Sequence, residues 1–196
     1  MIELAELKPM IDNELAHGVV NRKHSFHLLT LCTSANHNVS ARTLVLRGYS
    51  QSSRELIFHS HAKSEKISEL QVNPKACVLG YCKQENIQLR LYGHAEIVSG
   101  DPESLEKWHS LSVSARRCYL AQQPGAILDN LNSGYDKIFN QVEKADISMT
   151  EYASSNFARI KFYFDKIDFL QLAASGHIRA YLQLFNNSWH AKWIAP

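Results

Sequence analysis

The sequence has no glycine-rich phosphate loop; its eight glycines are scattered, and with no repeated βαβ pattern a doubly wound nucleotide-binding sheet is excluded. Nor is there a CxxC pair. Cys32, Cys77, Cys82 and Cys118 fall at irregular spacings, three of them inside apolar patterns, so they read as buried free thiols rather than a zinc ribbon or a redox dithiol motif. Charge of one sign is lacking: 21 basic against 19 acidic residues leave +2, too little for a nucleic-acid footprint, so any bound anion must be held by a local cluster. No apolar run approaches the roughly 18 residues of a membrane span, and Glu3 and Glu6 break the apolar start that a secretory signal requires. A soluble, reducing, cytoplasmic setting without membrane contact is the expectation. Repeats and low-complexity tracts are missing too.

What is present is 196 residues, 45% hydrophobic, enough for one filled core, so residues 1–196 are read as a single domain. Leu4, Leu7, Ile11 and Leu15 predict an amphipathic capping helix within residues 1–20. A β-rich stretch, 24–32, turns through Ala35-Asn36-His37-Asn38 into a strand at 40–48, and Glu55 to Ser60 is the next strand. Ser64 caps a helix that Asn73-Pro74 stops, followed by antiparallel strands 75–83 and 87–99. Asp101-Pro102 starts a helix to His109, and a second helical piece runs over 114–122. Within an insertion at 123–157, a loop and a helix at 136–146 are expected. Residues 158–196 return to β as 158–164, 167–172, 177–185 and 189–194, with Asn186-Asn187 as a hairpin turn. Short strands with interspersed helices predict a mainly β fold with peripheral helices, a small antiparallel barrel.

The stretch from Ala41 to Gly93 gathers the polar residues. Arg42 opens a strand and Arg47 closes it; Ser60, Ser64, Lys63 and Lys66 surround a helix start, where an anion meets both charge and free N–H groups. Gln88, Arg90 and Tyr92 share a strand face, as do His177 and Arg179 later. Taken singly, basic residues at strand ends are usually solvated and a strand Gln is usually just exposed. His59 and His61 also share a face, but no third ligand stands at a recognisable spacing, and no metal is expected. Ser, His and acidic residues form no nucleophile elbow.

The ordered set Arg42-Thr43-Leu44-Val45-Leu46-Arg47, Phe58-His59-Ser60-His61, Ser64-Glu65-Lys66, Asn73-Pro74 and Gln88-Leu89-Arg90 through Glu96 resembles the pyridoxamine 5'-phosphate oxidase family. So does the ending, with Ile167-Asp168-Phe169, His177-Ile178-Arg179 and Trp189 to Pro196. The resemblance covers nearly the whole chain. It implies an FMN-binding split β-barrel of Greek-key type, a homodimer with FMN at the subunit interface. It implies that Arg42 and Lys66 contact the FMN phosphate beside Ser64 and Glu65, and that Thr43, Leu44, Val45, Leu46, His59 and Ser60 line the flavin. Gln88 matches the amide meeting the isoalloxazine, Gln122 a second amide from the partner chain, and Arg179 a late-strand arginine near the cofactor. His177 is the retained catalytic and substrate-side residue.

The substrate side departs from the family's pattern. Arg47 stands in place of a lysine, Trp108 in place of a tyrosine, and Ser175 in place of an arginine; the phosphate-binding arginine and serine are not reproduced around Ser112 and Arg116. Leu170 replaces a flavin-side tryptophan. The expected activity is hydride transfer from a small substrate to flavin N5. The alternatives are a non-catalytic FMN carrier or sensor, and a split-barrel relative using haem or a deazaflavin.

Overall fold

The computed structural model describes residues 3–120, 123–128 and 147–196. Helix α1 (Leu4–Val20) is opened by a capping box between Glu3 and Glu6 and buries Leu7, Ile11 and Leu15. After a 3-10 turn at Ser25–His27, eight antiparallel strands follow: β1 (Leu28–Ala35), β2 (Asn38–Ser50), β3 (Glu55–His61), β4 (Lys75–Cys82), β5 (Ile87–Val98), β6 (Phe157–Gln171), β7 (Ile178–Phe185) and β8 (Ser188–Ile194). Helix α2 (Glu65–Val72) joins β3 to β4, while α3 (Pro102–His109) and α4 (Val113–Arg116) follow β5.

Six strands close a barrel in the order β3-β2-β1-β4-β5-β6, because β3 also pairs with β6; β5 runs along one edge of β6, while β3 (against 157–163) and then β7 (against 166–171) share the other, with β8 beyond β7. Closure gives each of these six strands two strand neighbours, and alternation sends Leu31, Leu46, Phe58, Val78, Leu89, Leu91, Ile160 and Phe162 into one core. The hairpin turns need left-handed backbone, which Asn36 and His37 adopt between β1 and β2, and Asn186 and Asn187 between β7 and β8.

The structure corrects several expected boundaries. The two strands expected at 158–164 and 167–172 are one, β6. Tyr92 pairs with Lys166 and Gly93 with Phe164, so Asp165 is an extra residue that shifts the inward phase from Phe164 to Ile167. Gly93 is required there, since a Cβ would lie 1.9 Å from the Tyr163 carbonyl oxygen. The stretch before Leu28 is a 3-10 turn rather than strand, and the helix expected from 114 is α4 plus a short 3-10 turn at Arg117–Tyr119. Residues 147–156 form 3-10 turns, whereas the helix expected at 136–146 lies outside the described residues.

A second, smaller core holds Trp108, Tyr119, Leu120, Ala153 and Phe157. It joins α3 and the 3-10 turns to the start of β6.

Candidate functional site

The start of α2 carries the densest group of donors. Along β3, alternation buries Leu56, Phe58 and Ser60 and sends His59 to the opposite face. The Ser60 and Ser64 hydroxyls are 2.9 Å apart, and Lys66 Nζ reaches both, at 3.3 and 3.0 Å. Ser64 occupies the N-cap position, but its hydroxyl donates to the His61 carbonyl instead of accepting from a helix amide. The first-turn amides of α2 therefore have no side-chain cap; the Ile67 amide donates to the Ser64 carbonyl at 2.9 Å. Burial first, then the neighbouring Arg42 charge, lowers the Lys66 pKa against the opposing pull of Glu69 and Glu65. An ammonium so placed gains from an added anion.

Arg42 is fixed from the inside. Its Nη2 donates to Glu69 Oε2 at 2.7 Å and its Nη1 to the Thr33 hydroxyl, which in turn donates to the same carboxylate oxygen at 2.6 Å. Burial pushes the Glu69 carboxyl upward, but hydrogen bonds from Thr33 and the Arg42 charge outweigh it and hold the pKa below the usual range. His61, next to the cluster, is buried and stacks on Tyr119. Its Nδ1 accepts from the Lys63 amide at 3.1 Å, and burial, then Lys63 and Lys66, lower its pKa. In that neutral tautomer Nε2 carries the hydrogen, a buried donor without a partner among the described residues.

A second polar group lies on the outward face of β5, β6 and β7. Arg179 grips Asp168 with two hydrogen bonds, Nε to Oδ1 at 3.0 Å and Nη2 to Oδ2 at 2.8 Å, and Arg90 adds a third at 2.6 Å. Asp168 is 4% exposed, so two cations share one buried carboxylate and leave that face with a positive surplus. Strand register sets Gln88 beside Leu170, and Leu170 beside Arg179. Among the described residues, no hydrogen bond or ion pair links this face to Arg42 or Lys66.

A third feature is a cavity of about 390 Å³ lined by Arg47, Ile57, His59, Glu103, Glu106, Lys107, Ser110 and Arg159. Arg159, 2% exposed, is neutralised by Asp101 at 3.1 Å and by Glu103, and donates to Ser104 at 2.9 Å. Burial, followed by the charges of Arg47, Lys107 and Arg159, pushes His59 down to about 3, so it lines the cavity as a neutral imidazole. His59 packs edge-on against Phe157.

The expected site residues thus divide among separate places. Ser60, Ser64, Lys66 and Arg42 come together; Glu65 is exposed at the same helix start. Leu44 and Leu46 face the core, while Thr43 and Val45 face outward with Thr30 and Leu28 as their strand partners. Gln88 and Arg179 share the outer face. Arg47 and His59 share the cavity. His177 is exposed in the loop before β7, its Nδ1 accepting from the Ala173 amide at 3.2 Å. Gln122 lies outside the described residues.

Trp108 is a correction. It is fully buried in the smaller core, donates to Glu151 at 3.2 Å and lies under the Arg116 guanidinium, 4.8 Å from the ring centre, so its ring offers no surface to a substrate here. Arg116 is likewise closed off: 1% exposed, it donates to Thr150, Glu151 and the His109 carbonyl. Sequence reading missed Glu69 and Asp168 as the carboxylates that orient Arg42 and Arg179. Arg42 and Glu69 stand 27 residues apart, and Arg179 meets Asp168 only through the β6–β7 register, so neither pairing leaves a signal in the adjacent residues.

Residues 4–99 match the sequence model of the pyridoxamine 5'-phosphate oxidase, FMN-binding domain. Pyridoxine/pyridoxamine 5'-phosphate oxidase 2 of Arabidopsis thaliana is 26% identical over 110 residues, which span 53% of this chain and 56% of that protein. A pyridoxamine 5'-phosphate oxidase-related, FMN-binding protein of Nostoc punctiforme superposes with a TM-score of 0.77 at 22% identity, covering all of both chains. PhzG of Burkholderia lata, solved with tetrahydrophenazine-1-carboxylic acid, gives 0.72 at 18% identity over 96% of this chain and 91% of that one. At these identities the two structures establish a shared fold.

Proposed function

From the premise that this chain belongs to the pyridoxamine 5'-phosphate oxidase-related family through its FMN-binding domain, residues 4–99, we propose that it is an FMN-dependent oxidoreductase that acts as a homodimer. The observation that carries the reading is the Lys66 ammonium set between the Ser60 and Ser64 hydroxyls, beside Arg42, at the uncapped start of α2. This donor set fits a phosphate monoester: one cation in contact, a second adjacent, two hydroxyls and helix-start amides without a side-chain cap. Lys66, Ser60, Ser64 and Arg42 are the residues that would hold the FMN phosphate, and Glu69 keeps Arg42 from swinging away.

FMN held there would supply two-electron redox chemistry, hydride transfer from a small substrate to flavin N5. The chain's own residues bind, orient and exclude water. Gln88 and the Arg179-Asp168-Arg90 group make no bond to the α2 cluster within the chain, which supports their serving the cofactor of a second copy. Arg47 and His59 lie on the wall of the cavity beside α3, where a small substrate would sit. A histidine pushed to about 3 is a hydrogen-bonding wall at neutral pH, not a proton acceptor.

The substrate side also supports a second reading, a carrier or sensor of FMN without turnover. Ser112 uses its hydroxyl to cap α4, accepting from the Ala115 amide at 3.2 Å, and Arg116 is locked inside the smaller core. Neither offers a cation to a substrate phosphate. A non-phosphorylated substrate and no substrate at all both agree with this.

The deciding experiment is to purify the protein, identify the released chromophore by mass and absorption, and follow flavin bleaching under anaerobic conditions with panels of small amines, alcohols and dihydroaromatic acids. FMN with substrate-dependent bleaching is the expected result. Bound FMN that no panel member bleaches favours the carrier, and haem or deazaflavin overturns both readings.

A further inference from the structure

A larger cavity, of about 640 Å³, opens between α1, the turn joining β2 to β3 and the hairpin joining β7 to β8. It shares no lining residue with the cavity of Arg47 and His59, and none with the cluster at the start of α2. Alternation along β7 sets it on the opposite side of that strand from Arg179: Leu184 follows Ala180 and Leu182 inward, whereas Tyr181 and Gln183 follow Arg179 outward. Trp189, the register partner of Leu184, packs on Phe164 of the core with ring centres 6.1 Å apart. The cavity therefore lies off the face proposed for a second copy.

Two cations and one carboxylate stand on its wall: Lys8, Arg54 and Asp12. Asp12, 6% exposed, is already engaged. Lys8 donates to its Oδ1 from one helical turn away, and the Tyr49 hydroxyl donates to the same oxygen. The Lys8 ammonium also lies over the Trp189 ring, 5.2 Å from its centre. Arg54 has no such partner. Its backbone is fixed in the turn, where its carbonyl accepts from the Phe164 amide at 3.1 Å, so the side chain starts from a set position. The residue is half-buried, its Nε is a buried donor with no acceptor, and its guanidinium makes no hydrogen bond or ion pair among the described residues.

We propose that this cavity binds a small organic monocarboxylate, with the Arg54 fork on the carboxylate and Pro9, Leu184 and Trp189 against the apolar body. One surplus cation calls for one negative charge, and a planar guanidinium matches the two oxygens of a carboxylate. The volume falls within the range of small-molecule sites, roughly 300–1,000 Å³, and the lining has their character, apolar walls with a few polar groups. Binding is non-covalent, and the site stands independently of the FMN reading.

Calorimetric titration of the full chain, as purified, tests this with benzoate, and with benzyl alcohol and phenyl phosphate in parallel. Benzoate should saturate one site with a Kd below about 1 mM, and benzyl alcohol, which keeps the ring without the charge, should bind at least about tenfold more weakly. Arg54→Gln should weaken benzoate about 10- to 100-fold, and Arg54→Lys, which restores the charge without the fork, should recover part of that loss. Benzoate that fails to saturate at that affinity, or that Arg54→Gln leaves within tenfold, would overturn the proposal. So would benzyl alcohol within tenfold of benzoate, phenyl phosphate bound more tightly than benzoate, or Arg54→Lys no better than Arg54→Gln.

Discussion

Glu69 on α2 holds Arg42 on β2 by its Nη2, 2.7 Å from the carboxylate, and Thr33 closes the same triangle from β1. Three elements meet at that point, so the orientation of Arg42 is set by the packing of α2 against the barrel and not by the arginine's own rotamer preference. Lys66, one turn before Glu69 on the same helix, is delivered by the same packing.

This arrangement predicts what removal of either cation does. Arg42→Ala and Lys66→Ala should each weaken FMN about 10- to 100-fold, since a charge-assisted hydrogen bond to phosphate is worth roughly 1.5–3 kcal/mol. Riboflavin, which lacks the phosphate, should bind less well to the unaltered protein and respond little to either change. Titration of apoprotein with both flavins, followed by fluorescence quenching, checks this; equal losses for FMN and riboflavin would place the phosphate elsewhere.

The outer face of the sheet predicts the assembly. Leu79, Leu170 and Cys77 lie half-buried there around the Arg90-Asp168-Arg179 group, and Tyr81 remains 46% exposed. An apolar surface with a buried ionic centre suits a symmetric partner, and Gln88 and Arg179 need one to reach a cofactor held at α2. Sedimentation at micromolar concentration should give a dimer. A stable monomer retaining FMN would remove the second copy from the site.

Much of this was legible locally. Asn36-His37 and Asn186-Asn187 supply the positive φ angles that hairpins need, Ser64 stands at the helix start, and Asp101 accepts from the Ser104 amide ahead of Pro102. What was not legible depends on distant partners. Asp165 and Lys166 read as a break between strands because a bulge reverses the apolar phase, and only the partner strand reveals continuity. The burial of Arg116 is not legible either, because nothing nearby in the chain announces Glu151 and Thr150, which hold it. Arg42 lies beside Lys66 at the start of α2, but its carboxylate anchor, Glu69, has no signal in the sequence around Arg42.

His59 predicts an acid-side loss of stability. Its folded pKa of about 3 lies below the ordinary histidine value of 6.5, so between those values the unfolded chain binds a proton that the folded chain does not. Stability is therefore intact above about pH 6.5 and declines as pH falls toward 3, with a limiting slope of about 1.4 kcal/mol per pH unit from one such group. His61, lowered in the same direction, adds to the slope. Urea unfolding between pH 7 and pH 4.5 should show the decline, and His59→Gln should flatten it. An unchanged slope in His59→Gln would mean that the imidazole is solvated.

The substrate side predicts weak oxidation of pyridoxamine 5'-phosphate. A substrate phosphate needs its own cationic fork, and arginine is favoured because its planar donors pair with two oxygens at once. Here Ser112 is spent on capping α4, Ser175 is an exposed loop residue, and Arg116 is held by Glu151 and Thr150. Without two such contacts, catalytic efficiency with pyridoxamine or pyridoxine 5'-phosphate should fall roughly 10²- to 10⁴-fold below that of an established oxidase assayed for peroxide alongside it. Ser175→Arg, in an exposed loop where the longer side chain meets no core, should recover about tenfold of that for the phosphorylated substrates and nothing for the non-phosphorylated forms. Comparable efficiency in the unaltered protein would overturn this and would point to Arg117, or to Arg116 released from Glu151, as the replacement phosphate anchor, in which case alanine at that residue should abolish the preference for the phosphorylated substrate.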